Sequence, residues 1–309
     1  MQSARSAAPA KRRKRINTEN LSYHLMLLPG IVLLFIFATI PLFGIIIAFQ
    51  NYVPAKGFLG SEWVGLANFR RMFELPDSYQ VLWNTIVIAI AKIVLGIVVP
   101  VIFSLLLNEV GRKSYKRVVQ TVVYMPHFLS WVILGGIFVS MFSLDGIVNL
   151  TLEKLGIEPI MFLGSNIWFR PIIILTDVWK GFGYGTIIYL AALTAVDPNL
   201  YEAAAIDGAT RMQRCRHVTL PAIVPTIILL TTLSLGNILS AGFDQIYNMY
   251  NPLVYRTGDI IDTYVYRMGL VDLQFSLGTA IGLLKSVVSA LLISLSYFLA
   301  KKFAGYRIF

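Results

Sequence analysis

Six stretches of this 309-residue chain carry apolar side chains for about twenty or more residues, the length that crosses the hydrocarbon of a bilayer. They occupy residues 25–49, 81–107, 118–144, 172–196, 220–243 and 277–300. A run of this kind satisfies its backbone by forming a helix, so the expected fold is all-α and polytopic, with six transmembrane helices. Charged residues make up only 14% of the chain against 57% hydrophobic, too little surface charge for an ordinary soluble domain of this length. The first run has no charge and no small-residue cleavage site after it, which predicts a retained span and no signal peptide.

The net charge of +10 is informative through its placement. With both termini cytoplasmic, the N-terminal arm holds six basic residues, the link 108–117 four, the link before residue 220 three and the tail three, which is sixteen of 26. The opposite links hold seven in longer stretches, and Lys92, Lys180 and Lys285 lie within spans. The positive-inside rule selects that orientation. The block Lys11–Arg15 then belongs to a basic arm, residues 1–24, anchored beside the first span, and nucleic acid is not expected as a partner. The spans form one domain, residues 25–300, followed by a tail, residues 301–309. A short amphipathic helix near residues 66–73 is expected on the outer surface.

Cys215 is the single cysteine and excludes an internal disulfide. His24, His127 and His217 lack metal-ligand spacing, and no paired intramembrane histidines or carboxylates suggest catalysis. No Gly-x-x-x-x-Gly-Lys-Ser/Thr occurs, so this chain has no phosphate-binding loop for ATP.

The polar interruption at 197–221 has the most internal order. Asp197 before Pro198 predicts an N-cap and a proline at the first helical position. Gly208 supplies a bend, Thr210 and Gln213 fit a capping box, and Leu220-Pro221 is expected to end the second short helix. Glu202-Ala203-Ala204, then Gly208, then nine residues, then Val218-Thr219-Leu220-Pro221, resembles the EAA loop of binding-protein-dependent ABC importer permeases, with valine for the usual isoleucine at Val218. The phrases Leu28-Pro29-Gly30, Gln50-Asn51-Tyr52, Asn84-Thr85 and Tyr124-Met125-Pro126 resemble the LplB-type branch of the carbohydrate-uptake permeases, whose members are linked to complex, often acidic oligosaccharides.

The resemblance implies the type I ABC importer permease fold and a translocation subunit that is not itself an enzyme. It implies a second homologous permease, two cytoplasmic ATPases that bind ATP and Mg, an extracytoplasmic solute-binding protein and an oligosaccharide substrate. Glu202, Ala203, Ala204, Asp207, Gly208, Arg211, Leu220 and Pro221 would then form the ATPase-coupling unit. The substrate path would draw on Trp179, Lys180, Tyr184, Tyr189, Asn237, Asp244, Gln245 and Lys285, since sugars present C–H faces to aromatic rings and hydroxyls to amides and charges. Asp177 lies one turn before Lys180, so those two could instead neutralise each other. Lys92 is expected to snorkel or to pair across helices. The alternative is a stand-alone secondary sugar transporter or channel, disfavoured because Asp177 is the only acidic residue within a span.

Overall fold

The computed structural model describes residues 18–304 apart from Asn237. The basic block 11–15, the end of the tail and the path candidate Asn237 lie outside the described residues. The chain divides into two compact units, residues 1–46 and 47–309. Among the described residues, four helices are long and apolar enough to cross a membrane, Ser22–Phe49, Pro76–Asn108, Arg211–Leu235 and Phe275–Phe298, and a bent pair makes a fifth if it is one span. The remaining predicted span is a 26-residue helix, Phe169–Thr194, whose apolar character is diluted by Arg170, Asp177 and Lys180.

The first unit consists of α1 (Thr18–Leu34), a π turn at Phe35–Thr39 and a short helical end containing Pro41. Proline has no N–H, and in a regular α-helix its ring clashes with the carbonyl four residues back. The π turn relieves this conflict ahead of Pro41, with the Ile40 N–H bonded to the Phe35 carbonyl.

The second unit opens with a small antiparallel pairing of Gln50–Asn51 with Glu62–Trp63. The amphipathic helix expected near residues 66–73 is α2 (Ala67–Glu74). The long span α3 (Pro76–Asn108) begins on Pro76 at its first turn. The third predicted span is not straight: α4 (Lys113–Tyr124) and α5 (Trp131–Met141) are separated by a 3₁₀ turn at Met125–Phe128 and bent by 98°. Pro126 ends α4, and Ser130 caps α5 by accepting from the Ile133 N–H at 3.3 Å. The loop expected at 145–166 contains a helix, Ile147–Lys154.

Span four is α6 (Phe169–Thr194), and its most extensive packing is against α3. It also meets α4 at Gly183, where an added Cβ would sit 2.0 Å from the Val123 carbonyl oxygen. Glycine there allows the backbones to approach directly. The hairpin follows as α7 (Pro198–Ile206) and the start of α8 (Arg211–Leu235). Here two sequence expectations are corrected. Leu220-Pro221 does not end a helix; α8 runs through Pro221, because a π turn at Cys215–Thr219 absorbs the conflict as it does ahead of Pro41, with Leu220 N–H bonded to the Cys215 carbonyl. The fifth span ends at Leu235 rather than at residue 243, and a non-helical segment leads through Gly242, at φ +96°, into α9 (Phe243–Met249).

The link after α9 carries α10 (Ile261–Tyr266) and leads to α11 (Phe275–Ala304). Asn84 and Thr85 of α3 fasten this link. The Asn84 amide donates to the carbonyls of Arg256 and Asp259 at 3.2 and 3.0 Å, and Thr85 Oγ1 accepts from the Ile261 N–H at 2.9 Å. Asp259, 1% exposed, accepts from Thr263 Oγ1 at 2.7 Å and from Arg267 at 2.6 Å. Burial pushes its carboxyl above the usual range, while Thr263 and Arg267 pull it back.

One core joins α3, α5, α6 and α9 through Ile88, Phe138, Ile173 and Ile246, and another joins α3, α6 and α8 through Val101, Tyr189, Leu193 and Ile223. Gly183→Ala should push α4 off α6 and cost roughly 1–3 kcal/mol. Gly181→Ala, whose Cβ would meet nothing within 4 Å, should be neutral or stabilising. Thermal melts of the purified variants in detergent check this contrast, and equal midpoints for the two would contradict it.

Candidate functional site

Two places concentrate polar structure: the hairpin between α6 and α8, and the membrane interior where α3, α6 and the break after α8 meet.

The hairpin is stiffened at each joint. Asp197 caps α7 by accepting from the Asn199 N–H at 2.9 Å. At the other end of α7, Ala209 N–H bonds to Ala204 O at 2.9 Å and Gly208 N–H to Ala205 O at 3.1 Å, a Schellman closure with Gly208 at φ +78°. A residue with a Cβ is strained at that φ, which is why glycine makes this bend. Thr210 and Gln213 form the reciprocal capping box that opens α8, with the Thr210 N–H bonded to Gln213 Oε1 at 2.7 Å. Tyr201 ties the two helices together by donating to Thr219 Oγ1 at 3.1 Å.

Glu202, Ala203, Asp207, Gly208 and Arg211 are exposed, while Ala204 is half-buried in a cleft of about 370 Å³ shared with Asp207, Gln213, Arg214 and His217. Leu220 packs on the core around Ile223 and roots the hairpin in the bundle; Pro221 lies on the exposed side of α8. Ile206 and Met212 stand 87% and 76% exposed. Sequence reasoning passed over both. Their signal was available, since an isoleucine and a methionine occur in a polar segment with no amphipathic period to bury them.

In the membrane interior, Lys92 of α3 is 9% exposed. Its Nζ donates to Ala241 O at 2.8 Å and Gln245 Oε1 at 2.5 Å, and lies 3.5 Å from Asp177 Oδ1. Gln245, fully buried, donates onward to Ile173 O at 2.7 Å and Thr176 Oγ1 at 2.8 Å. A cavity of about 370 Å³ opens beside this network, lined by Lys92, Gly96, Asp177, Ser234, Ser240 and Gly242. The Asp177–Lys180 pairing weighed from the sequence does not form. Asp177 turns to Lys92, and Lys180 donates to the His127 carbonyl at 2.8 Å with its ammonium 5.5 Å from the centre of the Trp131 ring.

The predicted path residues therefore separate. Trp179, Lys180 and Tyr184 gather at the α4–α5 bend: Trp179 meets Phe138 edge-on at 5.7 Å, and Tyr184 stacks on His127 at 4.0 Å. Gln245 belongs to the Lys92 network, and Asp244 is exposed on α9. Tyr189 is 2% exposed and packs in the core with Val101, Leu193 and Ile223. Lys285 pairs with Asp262 of α10. Sequence reasoning missed His127 and Trp131 as neighbours of Lys180, because nothing in the spacing announces the 98° bend that brings them there.

Comparison with known proteins places this geometry. Residues 96–305, from the end of α3 through the hairpin to α11, match the family described as binding-protein-dependent transport system inner membrane component. The chain belongs to that family. This permease is 46% identical over 281 residues to protein LplB of Bacillus subtilis, covering 91% of this chain and 88% of that one. It is 43% identical to the polygalacturonan/rhamnogalacturonan transport system permease protein YteP of the same organism, over 98% of both chains. Its fold superposes with a TM-score of 0.85, at 36% identity, on a chain of a bacterial ABC transporter involved in import of the acidic polysaccharide alginate, covering 93% of this chain and 97% of that one. The permease is an all-α membrane protein of the type I importer fold.

Replacing Lys92 of this permease by methionine strands the Ala241 carbonyl and the Gln245 oxygen in the interior and should cost roughly 1–3 kcal/mol. Asp177→Asn should cost less, because that carboxylate is 35% exposed and already partly solvated. Thermal unfolding of both single variants in detergent measures the order; a larger loss from Asp177→Asn would show that the ion pair, and not the fastening of the break, is what Lys92 supplies.

Proposed function

We propose that this permease is one translocation subunit of an ATP-driven importer that takes up an acidic oligosaccharide delivered by an external solute-binding protein. It works with a second homologous permease and two cytoplasmic ATPases, which carry ATP and Mg. Both termini and the hairpin face the cytoplasm, as the distribution of basic residues favours.

The single observation that carries the reading is the hairpin. A knob capped at both ends of α7, closed by Gly208 and continuous with the long helix α8, is built to transmit rotation rather than to flex. Glu202 offers a carboxylate for charge-assisted hydrogen bonds, Ala203 and Ala204 admit a close surface, and Ile206 and Met212 add an apolar contact beside them. ATPase closure would turn this knob and rock the bundle between outward and inward access, a rigid-body change.

The substrate class is supported by relatives and by charge. YteP is named for polygalacturonan and rhamnogalacturonan transport, and the same 0.85 TM-score relates this chain to an alginate transporter in complex with a periplasmic protein bound to an alginate pentasaccharide. Of the three intramembrane lysines, Lys92 and Lys285 have carboxylate partners, whereas Lys180 donates to a backbone carbonyl. We therefore read Lys180 as the cation that meets a uronate, a reading supported by the half-exposed rings of Trp179 and Tyr184 beside it.

The reading is tested with the complete transporter in proteoliposomes, supplied with matched uronate and neutral oligosaccharides. Uronate uptake should dominate, and Lys180→Met should erase that preference while neutral uptake persists. Loss of the Glu202 carboxylate in Glu202→Ala should lower binding-protein-stimulated ATP hydrolysis about ten-fold, the equivalent of one charge-assisted hydrogen bond. Crosslinking from Cys215, the only cysteine, should trap an ATPase chain. Substrate-driven ion flux by this chain alone would overturn the proposal.

A further inference from the structure

α9 has two unlike faces. Gln245, Ile246 and Met249 point into the protein and are buried. Phe243 and Tyr247, one turn apart on the other face, begin a row of aromatic rings that the next link continues. Phe243 and Tyr247 stack at 5.3 Å with an 18° interplanar angle, Tyr247 meets Tyr250 at 6.1 Å, and Tyr250 meets Tyr255 at 5.2 Å. Tyr266 of α10 leans on the row at 4.9 Å from Tyr247. The Arg267 guanidinium lies 4.1 Å from the centre of the Tyr255 ring and holds the far end in place.

Three observations separate this row from ordinary core packing. Its rings are half-buried rather than enclosed, with Tyr247 40% exposed. Its hydroxyls pair with one another, Tyr247 with Tyr266 at 3.4 Å, so they keep hydrogen-bonding capacity at the surface of the row. The row also begins beside the cavity: Phe243 follows Gly242, which with Ser240 lines the cavity beside Lys92 and Asp177.

We propose that this row is a binding ladder for an extended oligosaccharide, guiding successive pyranose units from the mouth of the permease to the cavity. A chain of sugars presents alternating C–H faces and hydroxyl edges at a repeat close to one ring spacing. Aromatic rings cover the faces, and phenol hydroxyls exchange with those of the sugar. Such a surface holds a long chain at several points and a short one at few. The inference rests on the oligosaccharide reading above and extends it to residues outside the spans.

The test uses the complete transporter in proteoliposomes with oligogalacturonate dimer and pentamer as probes. Tyr247→Leu and Tyr250→Leu should each raise the apparent KM for the pentamer roughly five- to ten-fold, the loss expected for one aromatic contact. The dimer should change little, and ATP hydrolysis stimulated by loaded binding protein should keep its maximum rate. Tyr247→Trp should restore the pentamer KM, which a loss of folding would not allow. Equal effects on both lengths, or an unchanged pentamer KM in variants of a transporter whose wild type imports it, would overturn the ladder alone. A wild type that imports no oligosaccharide of either kind would overturn both the ladder and the functional reading.

Discussion

At two places where the backbone leaves a helix inside this bundle, a lysine from a neighbouring span takes up a carbonyl. At the α4–α5 bend, Lys180 of α6 reaches the His127 carbonyl; at the break after α8, Lys92 of α3 reaches the Ala241 carbonyl. The physical demand is the same in both places. Hydrocarbon offers no water to a freed carbonyl, and an ammonium at that depth costs about 2.5–3.5 kcal/mol unless it is paired. Each group supplies what the other lacks. The bend and the break persist because leaving them would strand a charge.

This fastening also shapes the interior. By drawing Lys92 into contact with Ala241, Gln245 and Asp177, the fold opens a polar cavity beside a non-helical segment whose Gly242 sits 2.9 Å, measured to an added Cβ, from the ammonium. A side chain larger than hydrogen at that residue would push the lysine off its acceptors. Irregular backbone in a membrane is tolerated where it lines a cavity, and here the polar groups that make it tolerable form the cavity wall.

The hairpin obeys different physics, because it faces water. Its shape comes from local rules: a side-chain cap at Asp197, left-handed glycine at 208, and a reciprocal box at Thr210 and Gln213. These depend on residues within a few positions of one another, so they were legible in the sequence with their donors and acceptors. What the local rules could not reveal was the continuation through Pro221. Proline ordinarily marks an end, and only the π turn preceding it lets α8 run on from the hairpin to Leu235.

The sequence by itself determined the all-α membrane class, the apolar runs and the capped hairpin, but neither the bend in the third run nor the early end of the fifth, because only the former follow from run length and short-range capping chemistry. It also marked Asn84-Thr85 as worth notice without saying that the pair fastens a link more than 170 residues away. Tertiary structure alone decided the partners of the buried charges. Asp177 lies within one turn of Lys180 yet pairs with Lys92, Lys285 pairs with Asp262, and Tyr189 leaves the predicted path for the core. Those outcomes are fixed by how the helices pack and not by any spacing along the chain.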